Sequence, residues 1–133
     1  MNDPDGQAAY WMELARGNLA AAQCIAGDSA APARVAANLA QQAAEKALKA
    51  TIASAGGEPP RSHDLVRLAQ LAAGVVALTA SPDDLRLLTD AHAQGRYPDP
   101  IGPMYDAERA RGLIAIATAL VSEAAAALQT EDG

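Results

Sequence analysis

Residues 38–50 limit the possible folds of this chain more than any other stretch, because polar and apolar side chains recur in it at helical spacing. At about 100° per residue, alanines and leucines cover one side of the predicted helix, and polar side chains form an arc on the other. Within that arc Glu45 precedes Lys49 by four residues, a spacing at which the two side chains can pair. The polar arc consists of Arg34, Asn38, Gln41, Gln42, Glu45, Lys46 and Lys49.

The amino-acid composition favours a fold made only of helices. Alanine supplies 35 of the 133 residues, whereas the aromatic side chains are one Trp and three Tyr, with no Phe. Little bulk then separates neighbouring helices, so their backbones can approach closely. We predict an all-α fold, an antiparallel up-and-down bundle of four principal helices in which the third is broken into two.

Start and stop signals place the helices along the chain. Ser62, Ser81 and Asp106 each stand where a side-chain oxygen can cap the first turn of a helix. Gly27 follows the first predicted helix and suits the backbone conformation past a helix end. The predicted helices cover about residues 7–26, 32–55, 63–78, 82–95 and 107–128, in a single domain with frayed tails at 1–6 and 129–133.

The last predicted helix points to association between subunits. Residues 112–121 carry almost no polar side chain on any side, which is typical of a helix buried in the bundle and also against a second subunit. A core poor in large side chains gains little from burial, at about 25 cal/mol per Å² of apolar area, so additional burial between chains is expected. We predict a homodimer with this helix in its interface.

Three segments, taken in order, resemble a known family. Residues 41–50 read QQAAEKALKA, residues 61–65 read RSHDL and residues 96–99 read RYPD. They are similar to the signature helix, the His-Asp-Leu helix start and the Arg-Tyr-Pro-Asp loop of HEPN domains, the small all-helical family named for nucleotide binding in higher eukaryotes and prokaryotes. Trp11 in the first helix, beside Tyr10, is in keeping with that family. The resemblance covers nearly the whole chain.

The resemblance implies a range of functions. HEPN proteins include ribonucleases as well as inactive partner subunits. Similar proteins often act beside a small nucleotidyltransferase, as a toxin–antitoxin pair or as the substrate-binding half of a two-chain enzyme. The resemblance therefore implies a helical module that binds a nucleotide or RNA phosphate, with a nucleotidyltransferase as the expected partner chain.

Polar side chains from three regions form the candidate binding site. The second helix supplies two lysines and a carboxylate, His63 stands at a predicted helix start, and Arg96 and Tyr97 lie in a loop stiffened by three prolines. If the bundle brings these regions together, Arg96 can bind phosphate oxygens while Tyr97 stacks on a base. The candidate nucleotide-binding residues are Gln42, Glu45, Lys46, Lys49, His63, Arg96 and Tyr97.

Two structural alternatives to a binding site stay open at this point. The polar arc of the second helix can be a face turned to solvent. It can also be a structural network in which Glu45 neutralises Lys49 or Arg96, while Tyr97 only packs the loop against the bundle. In either case the chain is a structural dimer without a ligand.

A ribonuclease is the remaining alternative. HEPN ribonucleases carry an Arg followed, after about four to six residues, by a His, and Arg86 and His92 have this spacing. The resemblance then implies that His92 acts on the ribose hydroxyl or the leaving oxygen. It also implies that Arg86 stabilises the phosphorane. Against this assignment, the two positions differ by about 240° of helical rotation, and Leu87 stands where the family usually has Asn or Asp. The pair converges only if the helix ends early or a second subunit supplies one of the two.

Charge and motif content oppose several other functions. A net charge of −6 and a pI of about 4.7 oppose binding along extended DNA, which requires a basic surface. No phosphate-binding Gly-rich loop or zinc motif is present, so we predict no cofactor and no metal. The single Cys24 excludes an intrachain disulfide, and we expect its thiol to be buried. By inspection no apolar run reaches the roughly 18 residues that cross a bilayer, so we predict no membrane association and a cytoplasmic location.

Overall fold

Five helices make up the part of the chain that the structure describes. The structure is a computed structural model and describes residues 4–28, 31–94 and 106–131. Within these ranges no β-strand occurs, and the all-α prediction is confirmed. The first and last helices extend into residues 1–6 and 129–133, the two segments that the sequence predicts to be frayed. The helices are α1 (Pro4–Ala26), α2 (Ala33–Ser54), α3 (Leu65–Ala72), α4 (Pro82–Gln94) and α5 (Ala107–Glu131).

Helix α2 occupies the centre of the bundle, because it packs against each of the other four helices. Most of its 22 residues are buried, including nearly all of its alanines. Trp11 near the start of α1 lies beside Lys49 near the end of α2, so these two helices run antiparallel. The helix with the clearest sequence periodicity is therefore the one around which the others assemble.

Alanines and a few leucines fill the core. Alanine accounts for most of the buried positions of α2, so neighbouring helices approach its backbone closely. Each of the helices α2 to α5 contributes at least one fully buried leucine, and these side chains join the four helices into one core. The fully buried leucines are Leu48, Leu65, Leu68, Leu88 and Leu120.

The N-cap of α3 differs from the predicted one. Asp64 Oδ1 accepts a hydrogen bond from the backbone N–H of Val66 at 3.0 Å, so Asp64 is the capping residue. Ser62 Oγ instead accepts from the N–H of Asp64 at 3.2 Å, before the helix begins. The prediction of a helix from His63 to residue 78 is therefore wrong, because α3 covers only Leu65–Ala72. His63 stands in the segment just before the helix.

The predicted caps of α4 and α5 are confirmed. At the start of α4, Asp84 donates its backbone N–H to Ser81 Oγ at 3.1 Å, and Ser81 donates its own N–H to Asp84 Oδ2 at 3.2 Å. This reciprocal pair satisfies two N–H groups that have no partner inside the helix. At the start of α5, Asp106 Oδ1 accepts from the backbone N–H of Arg109 at 2.8 Å.

Two features of the outer helices correct the sequence predictions. Cys24 on α1 is exposed rather than buried. In α5, an 18-residue stretch within Ala107–Gln129 has a mean hydropathy of 1.6, so the helix is long and apolar enough to cross a membrane by length and composition alone. A core helix of a soluble protein passes the same test, and α5 packs against α1 and α2. Only 33% of that stretch is buried, so much of its outer face is exposed.

Candidate functional site

A buried carboxylate in the middle of α2 collects several donors. Glu45 Oε1 accepts hydrogen bonds from Gln41 Nε2 at 3.0 Å and from His63 Nδ1 at 2.7 Å. Its Oε2 accepts from Lys49 Nζ at 3.1 Å and lies 3.6 Å from Lys46 Nζ. Gln41 and Lys49 each lie one helical turn from Glu45, so helical spacing alone brings both to the carboxylate. We call these five side chains the Glu45 cluster.

His63 reaches the cluster from the segment before α3. The chain just after it is anchored, because Asp64 caps α3 and the N–H of Leu65 donates to Thr89 Oγ1 of α4 at 3.0 Å. An ionised carboxylate can only accept hydrogen bonds, so His63 Nδ1 is the donor to Glu45. The side chain of His63 is 53% exposed while that of Glu45 is 3% exposed, so the imidazole joins the buried carboxylate to the surface.

The indole ring of Trp11 contacts both lysines of the cluster. The Nζ atoms of Lys46 and Lys49 lie 5.7 Å and 5.6 Å from the centroid of the ring, within the range of cation–π attraction. The two lysines differ in access to solvent, since the side chain of Lys49 is 8% exposed and that of Lys46 is 25% exposed. Lys46 is therefore the lysine that can meet a ligand.

Glu45 stays ionised despite its burial. Burial by itself raises the pKa of this carboxyl, but the hydrogen bonds donated by His63, Gln41 and Lys49 oppose that effect. Together with the positive charge of Lys49, they hold the pKa of Glu45 below its ordinary value of 4.5. One carboxylate then balances one of the two lysines, so the cluster carries one net positive charge while His63 is neutral.

Gln41 keeps one buried atom unpaired. Its Oε1 has no hydrogen-bond partner within the described ranges of the chain. Turning the amide over would bring that oxygen against the carboxylate of Glu45, so the carboxylate fixes the orientation. An unpaired buried acceptor costs about 1–3 kcal/mol. Gln41 nevertheless donates its N–H to Glu45, because a buried charge that lacks hydrogen-bond donors would destabilise the protein more.

Comparison with known proteins decides the family. A family model described as HEPN domain matches residues 8–127, which is most of the chain. The chain belongs to the HEPN family. The match confirms the resemblance carried by residues 41–50, 61–65 and 96–99.

Two solved structures resemble this HEPN domain. The crystal structure of TT1696 from Thermus thermophilus has a TM-score of 0.77 and 30% sequence identity, over 96% of this chain and 99% of that chain. The structure of ST0689, described as an archaeal HEPN homologue, has a TM-score of 0.65 and 24% identity, over 92% of this chain and 98% of that chain. At that identity the second likeness shows the fold alone. No curated protein matches the chain.

The HEPN fold brings together part of the predicted binding site. Gln42 does not join the Glu45 cluster, because its Nε2 donates to Asn38 Oδ1 on the same helix. Arg96 and Tyr97 lie outside the described residues, so their roles stay predictions. The predicted residues that the structure brings together are Glu45, Lys46, Lys49 and His63.

The residues of the ribonuclease alternative lie on one helix of the HEPN domain. Arg86 Nη1 pairs with Asp83 Oδ1 at 2.8 Å on the exposed side of α4. The helix continues to Gln94, so the backbone of His92 is helical, while its side chain lies outside the described residues. Because α4 does not end between them, about 240° of rotation separates the two positions. The described backbone therefore gives no reason for the pair to converge within one chain.

Two members of the site were not predicted from the sequence. Gln41 lies in the predicted polar arc, and its four-residue spacing from Glu45 is the signal that could have found it. Trp11 belongs to another helix, so only the packing of α1 on α2 reveals its contact with the lysines. The interpretation of the arc as a solvent-facing surface is wrong for Gln41, Glu45 and Lys49, because all three are buried.

The chemistry of the site is that of an anion-binding surface. No group of three His, Cys, Asp or Glu side chains that could hold a metal ion occurs in the part of the chain that is described. The Glu45 cluster instead holds a partly exposed ammonium and an exposed imidazole on the two oxygens of one carboxylate. Such groups suit the oxygens of a phosphate.

Proposed function

We propose that this HEPN domain binds a phosphate group of a nucleotide or RNA at the exposed rim of the Glu45 cluster. Lys46 supplies an ammonium on a side chain that is 25% exposed, and His63 supplies an imidazole that is 53% exposed. Both groups can carry a positive charge towards the anion. The observation that carries the proposal is that these two exposed groups converge on one buried, ionised carboxylate.

Preorganisation of the two exposed groups supports the proposal. Glu45 restrains His63 through a 2.7 Å hydrogen bond, and it restrains Lys46 together with the ring of Trp11. Ordering a flexible side chain on binding costs about 0.5–1.5 kcal/mol, and a side chain that is already held avoids part of that cost. A phosphate that reaches this rim therefore meets groups that are already oriented.

A purely structural network is the competing interpretation. Lys49 fits that interpretation, because its ammonium is nearly buried and pairs with Glu45. Its charge therefore serves the network and does not reach a ligand. Lys46 and His63 differ from it, because a network that only stabilises the fold gains nothing from their exposure. Their access to solvent favours a binding role.

Calorimetric titration of the protein with AMP and with a short RNA tests the proposal. Lys46→Gln removes the charge while keeping a polar side chain, and is expected to weaken binding at least tenfold, because a charge-assisted hydrogen bond contributes about 1.5–3 kcal/mol. Arg34→Gln is the matched control. Arg34 is an exposed cation on the same helix, about 18 Å from Lys46, and its loss is expected to leave binding unchanged.

Two outcomes contradict the proposal. If a folded protein shows no saturable binding of AMP or RNA, the Glu45 cluster is only structural in the isolated chain. If Lys46→Gln and Arg34→Gln weaken binding equally, the ligand follows the net charge of the protein and not this site. The nucleotidyltransferase partner and the toxin–antitoxin role stay predictions that rest on the family resemblance.

We also propose that the domain forms a homodimer through the outer face of α5. That face carries small exposed residues at helical spacing, and only 33% of the most apolar 18-residue stretch of α5 is buried within the chain. Small side chains allow a second helix to approach closely, and burial of the exposed apolar surface favours association. The small exposed residues are Gly112, Ala115, Ala119 and Ala126.

Size-exclusion chromatography with light scattering tests the dimer. The expected mass is twice the 13.6 kDa of one chain. Ala119→Arg is expected to give a monomer, because a long charged side chain then stands in the middle of the small-residue face. Ala73→Arg, at an exposed position after α3, is the control and is expected to remain dimeric. A monomeric wild-type protein contradicts the dimer.

A further inference from the structure

We propose that the groove between α1 and α5 receives helix α5 of a second copy of this chain, so that both helices of each subunit form the interface. This surface rests on the homodimer proposed above and extends it, because that proposal used the outer face of α5 alone. The grounds are the lining of the groove, the charges beside it, the spacing of small residues and the area that a stable dimer needs.

An open groove of about 440 Å³ lies between the two helices. Its floor is apolar, since Leu19 of α1 is partly buried and Val121 of α5 is buried. None of the buried polar side chains in the described part of the chain lines the groove, so it lacks the groups that orient a polar ligand. Thr118 Oγ1 donates to the backbone carbonyl of Ile114 at 2.7 Å, so this hydroxyl keeps its partner when an apolar surface covers it.

The α5 side of the groove carries almost no charge. From residue 112 to residue 129, Glu123 is the single charged residue, and its carboxylate accepts the backbone N–H of Thr79 at 3.2 Å. The exposed side of α4 differs, because Asp83 and Arg86 stand on it. The core of a protein interface is depleted of charged side chains relative to the rest of the surface. The α5 side of the groove therefore suits a protein partner.

The spacing of small residues suits a second copy of the same helix. Gly112 and Ala126 are each seven residues from Ala119, which is about two helical turns, and all three are exposed. If a two-fold axis passes Ala119, two antiparallel α5 helices place Gly112 opposite Ala126 of the partner subunit. Such a pairing is self-complementary, as the interface of a two-fold dimer requires.

The area of α5 alone is too small for a stable dimer. Residues 112–129 extend about 27 Å at a rise of about 1.5 Å per residue, and a helix about 10 Å wide then offers roughly 270 Å². A standard interface covers about 800 Å² on each partner. A helix seated in the groove also contacts α1, where Arg16 and Ala20 are exposed beside Leu19. Including α1 on both subunits therefore supplies area that α5 lacks.

Light scattering over a range of protein concentrations tests the contact with α1. Ala20→Arg places a long charged side chain on the exposed side of α1 beside the groove. It is expected to raise the dissociation constant of the dimer at least about tenfold, because covering an unpaired charge is unfavourable. Ala73→Arg is the control and is expected to leave the dissociation constant unchanged. Circular dichroism checks that each variant keeps its helix content, which is expected because both positions are exposed.

A disulfide cross-link gives a second readout that does not depend on loss of association. In a Cys24→Ser background, Ala119→Cys meets its own copy at the two-fold axis. It is expected to form a disulfide between subunits, since bridged Cα atoms lie about 4.4–6.8 Å apart. Ala73→Cys in the same background is expected to run as a single chain on a non-reducing gel.

The outcomes separate this surface from the dimer on which it rests. If Ala119→Arg dissociates the dimer and Ala20→Arg leaves it intact, the groove is not part of the interface and the α5 contact remains. A monomeric wild-type protein, with no cross-link through Ala119→Cys, overturns both. If that monomer floats with phosphatidylcholine vesicles, a bilayer covers this face in place of a second copy, which also overturns the inference.

Discussion

Replacing Glu45 with Ala is expected to lower the free energy of unfolding by about 3–5 kcal/mol. The substitution leaves the 8%-exposed side chain of Lys49 without its ion pair and removes the acceptor of Gln41 and His63. A buried charge that loses its partner destabilises a protein more than the intact pair stabilises it. Because domains are typically stable by about 5–15 kcal/mol, this loss is a large part of the total. Urea denaturation followed by circular dichroism measures it.

Further variants separate the effect of charge on stability from the effect of side-chain shape in the pair of Glu45 and Lys49. Lys49→Met keeps an unbranched apolar stem and leaves Glu45 with two donors, so it is expected to cost only about 1–3 kcal/mol. Combining Glu45→Gln with Lys49→Met removes both charges together. The double variant is expected to lose less stability than the two single variants added together. Simple additivity would show that the two residues are not coupled.

Acid is expected to act through the same carboxylate. The pKa of Glu45 in the folded protein lies below the ordinary value of 4.5, because the donors of the cluster outweigh its burial. Ionised Glu45 therefore contributes stability above that ordinary value, and the contribution is lost as the pH falls through the lowered pKa. Glu45→Gln is expected to lack this part of the acid destabilisation. If the free energy of unfolding of the wild type and of Glu45→Gln falls equally with pH, other carboxylates cause the acid destabilisation.

Leu48→Ala is expected to lower the free energy of unfolding by about 2–5 kcal/mol. Leu48 is fully buried on the central helix, in a core where most buried neighbours on that helix are alanines. Alanine has no side-chain rotamers with which to fill the vacated space, so a cavity remains and its cost is added to the lost burial. The same denaturation measurement reports the loss, as a shift of the urea midpoint without a change of slope.

Leu71→Ala is the control for the core substitution. It removes the same atoms from a side chain on α3 that is 52% exposed, so a change within about 0.5 kcal/mol is expected. Equal losses at Leu48 and Leu71 would mean that the core closes around the smaller side chain, which contradicts the cavity argument.

Periodicity predicted the angular position of each polar side chain on α2, but not what covers it. Gln41, Glu45 and Lys49 are predicted to share one side of α2, and their positions within the helix confirm this. In the folded chain, Lys49 contacts Trp11 from α1, and Glu45 accepts a hydrogen bond from His63 in the segment before α3. These contacts depend on how the helices pack, which the pattern within one helix does not determine.

The start of α3 shows the same limit for a local signal. Ser62 and Asp64 are both good capping residues, and they stand two positions apart in the sequence. Asp64 is the cap in the structure, where Thr89 of α4 accepts the N–H of Leu65. That contact satisfies a donor of the first turn and anchors the helix start. Ser81 and Asp106, by contrast, both cap as predicted.

The contact of Trp11 with the two lysines gives the protein an intrinsic optical probe. Trp11 is the single tryptophan of the chain, so its fluorescence has one source. The ammonium groups of Lys46 and Lys49 lie within 6 Å of the ring centroid, at 5.7 Å and 5.6 Å. Indole emission responds to nearby charge, so any event that moves either lysine changes the signal. Unfolding and ligand binding can therefore both be followed at this one position without a label.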